Sequence, residues 1–258
     1  MDYQFIRVER EGRLTWVTLQ RPDTHNALNF DAHEELQHAF DDFASDDEQW
    51  VAILTGSGSK AFCAGHDLKQ QAADANLGTP SKGFGGLTSR FDLNKPVIAA
   101  VNGVAMGGGF ELALACDIIV ASSSAIFALP EARVGLAALA GGMQRLPGLI
   151  GLKRSMGMVL TGRRVSASQG YELGFVNEVT DGDVLALARK WADELLACSP
   201  LSVRATKEAV MRGLDVPLAQ ALVEQWEYPQ VKKMLSSQDA VEGPKAFAEK
   251  RQPNWVGY

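Results

Sequence analysis

The sequence predicts an α/β fold on three observations. Strand-length apolar runs alternate with helix-period segments as far as residue 199, glycine-bearing turns separate them, and from residue 200 the pattern is helical throughout. A chain of 258 residues buries about three quarters of its unfolded surface, so it needs neither disulfides nor a metal to fold. It is 46% apolar and 22% charged, the composition of a globular protein. A net charge of -6 and a pI near 5.3 speak against a nucleic-acid or anionic-membrane partner.

The elements follow in order. Residues 5–9 and 14–19 read as two strands around Glu11-Gly12, and residues 21–28 as a loop. From Asn29 the period changes: Ala32, Leu36, Ala39, Phe40 and Phe43 share one helix face, with Asp31 and Glu34 as its capping box. Residues 51–54 and 61–63 are short strands, and a polar, glycine-bearing stretch from about 70 to 94 reads as a loop or as a helix with a ragged end. Residues 97–101 form a buried strand, after which NGVAMGGG turns the chain into the helical FELALAC. Strands at 117–121 and 126–128 lead to Pro130-Glu131.

After Gly141 come three short helices punctuated by glycine, a strand at 175–179, and an amphipathic helix over 183–198 that ends before Pro200. Residues 201–250 read as three helices bounded by Pro217 and the Ser236-Ser-Gln-Asp239 segment. The chain thus divides into an α/β core with the active site, 1–199, and a C-terminal helical oligomerisation region, 200–258. Cys63, Cys116 and Cys198 form no CxxC pair, and the start lacks a signal-peptide core. The longest apolar stretch, 97–121, carries Asn102, Glu111, Asp117 and four glycines, which makes it a buried strand and helix rather than a membrane span. The cytoplasm is the expected compartment.

The chemistry concentrates at the glycines. Gly107-Gly-Gly109 directly before a helix serves a backbone that turns sharply, approaches a ligand closely, or points free N–H groups at an oxygen. A tight packing turn is the other reading of the same residues. Ala64-Gly65-His66-Asp67 is a second glycine turn, able to supply another backbone donor to the same oxygen. Glu111 and Glu131 both stand in apolar surroundings that raise a carboxyl pKa towards neutrality, the condition for general acid–base work, unless each simply pairs with an arginine such as Arg133 or Arg145. Cys63 and His66 have no third ligand at metal spacing, and His33 and His38, five apart on one helix, are expected at the surface. Phosphate-loop, dinucleotide-binding and GxSxG patterns are all absent.

The ordered set Arg21-Pro22 with Asn26-Ala-Leu28, Ala61-Phe-Cys-Ala-Gly-His-Asp-Leu68, Lys95 through Gly107-Gly-Gly-Phe-Glu111 to Asp117, Phe127-Ala-Leu-Pro-Glu131, Gly141-Gly142, Leu160-Thr-Gly162 and Phe247-Ala-Glu-Lys-Arg251 resembles the enoyl-CoA hydratase/isomerase (crotonase) family over essentially the whole chain. The resemblance implies a crotonase-like (ClpP/crotonase) spiral of ββα units. It implies an oxyanion hole from the backbone N–H groups of His66 and Gly108, and the two hydratase glutamates at Glu111 and Glu131. Acyl-CoA contacts fall at Ala64, Gly65, Asp67, Leu68, Phe247 and Lys250. It further implies a homotrimer or dimer of trimers and no cofactor beyond the coenzyme A of the substrate. Holding both glutamates favours hydration; an isomerase, hydrolase or decarboxylase would share the same oxyanion hole, whereas an RNA-binding or scaffold member would carry a basic stripe. Within the family the similarity is to the carnitinyl-CoA dehydratase branch, from which His66, in place of a tryptophan, and the wholly apolar Leu136-Ala-Ala-Leu-Ala140 depart.

Overall fold

The computed structural model describes residues 2–67 and 80–258. Two sheets organise the first two thirds of the chain. Strands β1 (Ile6–Glu11), β2 (Leu14–Leu19), β3 (Val51–Gly56), β5 (Val97–Val101), β7 (Ile118–Ser122) and β10 (Glu178–Thr180) form a six-stranded sheet in that order. β1 and β2 pair antiparallel, and every later pairing in the sheet is parallel. Strands β4 (Ala61–Cys63), β6 (Val104–Met106), β8 (Ile126–Ala128) and β9 (Val165–Ser166) form a second sheet, with β4, β6 and β8 parallel. Each of the pairs β3/β4, β5/β6 and β7/β8 gives one strand to each sheet, so the chain winds as a spiral.

A parallel sheet covered on both faces reads as continuous apolar runs, and VAILTG and VIAAV are buried throughout. The two-residue period then sorts their side chains. Ala52, Leu54, Val97, Ala99 and Val101 face the main core with helix α1 (Phe30–Ser45), while Val51, Ile53, Ile98 and Ala100 pack against Val184, Leu187, Ala188 and Ala192 of the helix over Val184–Leu196. The predicted apolar face of α1 is buried at all five positions, but its cap is Asn29, whose side chain accepts from the Ala32 N–H at 3.0 Å. Asp31 lies inside the first turn, too late to cap.

Helix α2 (Gly108–Leu114) follows β6, and the three glycine-punctuated helices are α3 (Gly142–Ile150), α4 (Leu152–Thr161) and α5 (Ala167–Leu173). The 175–179 strand shifts to Glu178–Thr180 because Phe175 turns into the core against Phe110 and Phe127. β6 was expected as part of a turn. Three residues carry too little periodicity to announce a strand, and its ladder comes from β4 and β8 on either side. After α6 (Val184–Leu196), the C-terminal region holds four α-helices rather than three: α7 (Pro200–Gly213), α8 (Leu218–Glu224), α9 (Pro229–Leu235) and α10 (Asp239–Glu249). Pro229 takes the first position of its own helix, where its missing N–H costs nothing, and so divides the expected middle one. Among the described residues, no helix is long and apolar enough to cross a membrane.

Candidate active site

The register of the smaller sheet aligns three strand ends. Cys63 pairs with Ala105 and Ala105 with Phe127, so the segments following β4, β6 and β8 leave the sheet side by side. These are Ala64-Gly65-His66-Asp67, Gly107-Gly108-Gly109, and Leu129-Pro130-Glu131. The predicted glycine turns and both glutamates therefore meet in one place.

The first turn is held from both sides. Ala64 N–H donates to His25 O at 3.0 Å, Leu28 N–H to Gly65 O at 2.8 Å, and Asp67 N–H to Leu28 O at 2.9 Å. The Asp67 carboxylate is ion-paired to Arg21 at 3.0 Å, which ties the turn to the loop after β2. Between these anchors the His66 N–H meets no acceptor among the described residues. Gly65 has φ +93, and a Cβ there would lie 2.8 Å from Met106 O and 3.1 Å from Gly108 N. A side chain at 65 would thus hold the two turns apart.

The second turn is tighter. Gly107, at φ +55, donates its N–H to Ala128 O at 2.9 Å and accepts from the N–H groups of Phe110 and Glu111. A Cβ at Gly108 would lie 2.5 Å from the Phe84 ring, and one at Gly109 would lie 2.0 Å from Cys63 O, so both positions are closed to side chains. The Gly108 N–H, at the first residue of α2, has no acceptor among the described residues. Two unpaired backbone donors consequently lie on adjoining turns.

Glu111 is fully buried on α2 and its Oε1 accepts from the Gly142 N–H at 2.8 Å. Burial, then repulsion from Glu131, pushes its carboxyl up to about 7, against the opposing pull of the Gly142 and Ala140 N–H groups and of Arg145. Glu131 opens the short 3-10 turn after β8 and is also raised, by burial. Its Oε1 rests against Gly107, where a Cβ would lie 2.9 Å away, and its enclosed Oε2 has no hydrogen-bond partner. Neither glutamate pairs with an arginine among the described residues. Arg145 gives its Nη2 to Thr88 O and Arg133 its Nε to Thr161 O, both at 2.7 Å. Two carboxyls with raised pKa values and no ion pair among the described residues are suited to holding and releasing protons, Glu111 near neutrality.

Other expectations resolve differently. Burial pushes the Cys63 thiol up to about 12, which leaves no thiolate for nucleophilic work. His33 is not at the surface: its side chain is fully buried, stacked on the half-buried His66 with ring centroids 5.7 Å apart. Its place on the α1 face follows from Leu36 and Phe40, three and seven residues on, whereas the His33/His38 spacing alone does not show which of the two faces the core. Phe84 and Gly142 belong to the motifs of the resemblance, but their contacts with Gly108 and Glu111 join residues far apart in the chain and no local pattern announces them. Leu68 lies outside the described residues. Phe247 and Lys250 sit at the end of α10, and no hydrogen bond or ion pair joins them to the glycine turns or the glutamates among the described residues.

Comparison with known proteins gives consistent matches. A family model described as enoyl-CoA hydratase/isomerase matches residues 9–258. A protein named carnitinyl-CoA dehydratase from Salmonella enteritidis PT4 is 44% identical over 259 residues, covering 98% of each chain. The crystal structure of enoyl-CoA hydratase from Mycobacterium tuberculosis H37Rv superposes with a TM-score of 0.93 at 38% identity, over 98% of this chain and 99% of that one. That of enoyl-CoA hydratase from Bacillus anthracis gives 0.88 at 36% identity, over 99% and 100%.

The raised Glu111 pKa has a stability consequence with a fixed sign. Between pH 4.5 and about 7 the folded protein keeps a proton that the unfolded chain has released, so stability falls as pH rises through that window. Glu111→Gln is expected to flatten this fall, as read from urea unfolding at about pH 5 and about pH 8. An unchanged pH dependence in the variant would show that Glu111 ionises normally.

Proposed function

The chain belongs to the enoyl-CoA hydratase/isomerase family, and from that premise we propose that it adds water reversibly to a 2-enoyl-CoA thioester to give the 3-hydroxyacyl-CoA. The observation that carries this reading is a buried Glu111 and a half-buried Glu131, neither in an ion pair among the described residues, beside two backbone donors that meet no acceptor there. In the hydration direction, one carboxylate accepts a proton from water as its oxygen bonds to the β-carbon. The double-bond electrons move towards the thioester carbonyl, and the oxygen that becomes anionic is received by the N–H groups of His66 and Gly108. The other carboxyl then protonates the α-carbon. Loss of one such donor costs on the order of 3 kcal/mol of transition-state stabilisation. Fixed backbone donors suit the task because they need no reorganisation as charge develops.

The names of the relatives make carnitinyl-CoA and its enoyl form, crotonobetainyl-CoA, the first acyl groups to test. Ala64, Gly65 and Asp67 shape the turn that borders the thioester. At the other end of the substrate, Lys250 is the cation for the phosphates of coenzyme A, with Phe247 beside the adenosine. Arg251 is engaged by Glu242 and Glu249, whereas Lys250 carries no ion pair among the described residues. Lys250 is the left-handed cap of α10, φ +55, its N–H donating to Ala246 O and Phe247 O. Phe247 is 87% exposed on one chain, and Leu214, Leu218, Leu222, Val223 and Trp226 present a further apolar face around α8. A second copy of the chain covers such a face, and the proposed assembly is a trimer or a dimer of trimers, in which α10 can reach a neighbour's site.

Glu111→Gln and Glu131→Gln are each expected to lower hydration at least about 100-fold with the fold and coenzyme A affinity retained. Turnover within about threefold of wild type would remove that residue from the mechanism. For Lys250→Ala the expected result is a several-fold rise in KM for a full acyl-CoA and none for an acyl-pantetheine thioester, which has no phosphates to lose. Equal weakening of both substrates would exclude a phosphate contact. Light scattering is expected to report a trimer or hexamer at micromolar concentration; a monomer would contradict the proposed covering of α8.

A further inference from the structure

His33 belongs to none of the roles assigned so far, yet one buried imidazole touches the supports of both proposed donors. Its ring stacks on that of His66 at an interplanar angle of 19°. Its edge-on neighbour is Phe84, with centroids 4.5 Å apart, and the Phe84 ring occupies the space over Gly108 that a side chain would fill. The Nδ1 atom accepts from the buried Gly85 N–H at 2.9 Å, which pins the turn carrying Phe84. We infer that His33 is a positioning residue for the carbonyl-binding turns, holding His66 by stacking and Gly108 through Gly85 and Phe84.

An apolar residue would fill this core position more cheaply. The Nε2 atom of His33 is enclosed and has no partner, a desolvation cost that leucine or phenylalanine would avoid. What an apolar side chain lacks is the acceptor for Gly85, whose left-handed backbone, φ +60, belongs to a turn buried between α1 and α2. Burial keeps His33 neutral by pushing its pKa down to about 3, so the Nδ1 lone pair is retained across the working range of pH. Sub-ångström displacement of an oxyanion donor is felt in the rate, because the donor must lie at hydrogen-bond distance from the oxygen as it becomes charged.

The inference rests on the oxyanion-hole reading, and the test separates the two. Isotope-edited infrared spectroscopy of bound butyryl-CoA, a saturated thioester that cannot be hydrated, reads the polarisation of the carbonyl, while kcat and KM are measured with crotonyl-CoA. Gly108→Pro removes one donor and should abolish most of the carbonyl downshift. His33→Leu should lose part of the downshift and about tenfold in kcat with KM nearly unchanged. His33→Asn, whose amide oxygen falls near the Nδ1 position, should recover most of both, and His33→Gln, whose amide falls near Nε2, should not. The Asn and Gln pair decides the question where His33→Leu fails to fold, with free coenzyme A binding as the check on each protein. A wild-type downshift and kcat in His33→Leu, or equal values for Asn and Gln, would overturn the role of His33. A full downshift in folded Gly108→Pro would overturn the hole itself.

Discussion

Three short parallel strands whose C-terminal ends align are the constraint on which the site depends. β4, β6 and β8 are three residues each, too short to hold together alone, yet their alignment brings Gly65, Gly107 and Glu131 to adjoining positions. The larger sheet makes that possible. Each of β3, β5 and β7 is buried on both faces and sends the chain onward into the smaller sheet, so the spiral fixes the strand ends before any catalytic side chain is considered. Glycine then sets how closely the turns approach. A methyl group at 65, 108 or 109 would meet backbone or a packed ring at once.

The same arrangement makes the site costly. Glu111 is buried without an ion pair, and Glu131 leaves an enclosed oxygen without a hydrogen-bond partner, among the described residues. Tight ion pairs with Arg133 or Arg145 would relieve the strain and hold both carboxylates ionised, but those arginines bond to carbonyls elsewhere. Glu111 and Glu131 are left with raised pKa values, the property acid–base work needs and stability alone would remove. Cys63, directly beneath the turn, shows the contrast: burial there produces an inert thiol.

Much of this was legible in the sequence because it depends on local pattern. The alternation of strands and helices, the buried face of α1 and the isolation of Glu111 among apolar residues are properties of short windows. The crotonase fold was legible through the order of its motifs. What stayed hidden arises from contacts far apart in the chain. β6 exists because two strands flank it, His33 matters because residue 85 donates to it from fifty-two positions away, and Gly142 reaches Glu111 across thirty-one. The Asn29 cap was misread because Asp31 and Glu34 satisfy the same spacing rule two residues later, and only the backbone decides where the helix begins.

The proposed reaction is the addition of water across a conjugated enoyl thioester. Incubation of the purified protein with a short 2-enoyl-CoA in heavy-oxygen water tests it directly, by following the conjugated thioester absorbance and the mass of the product. Hydration predicts loss of that absorbance together with one heavy oxygen on the β-carbon of a 3-hydroxyacyl-CoA. An unlabelled 3-enoyl product, release of free coenzyme A, or an unchanged spectrum would contradict it.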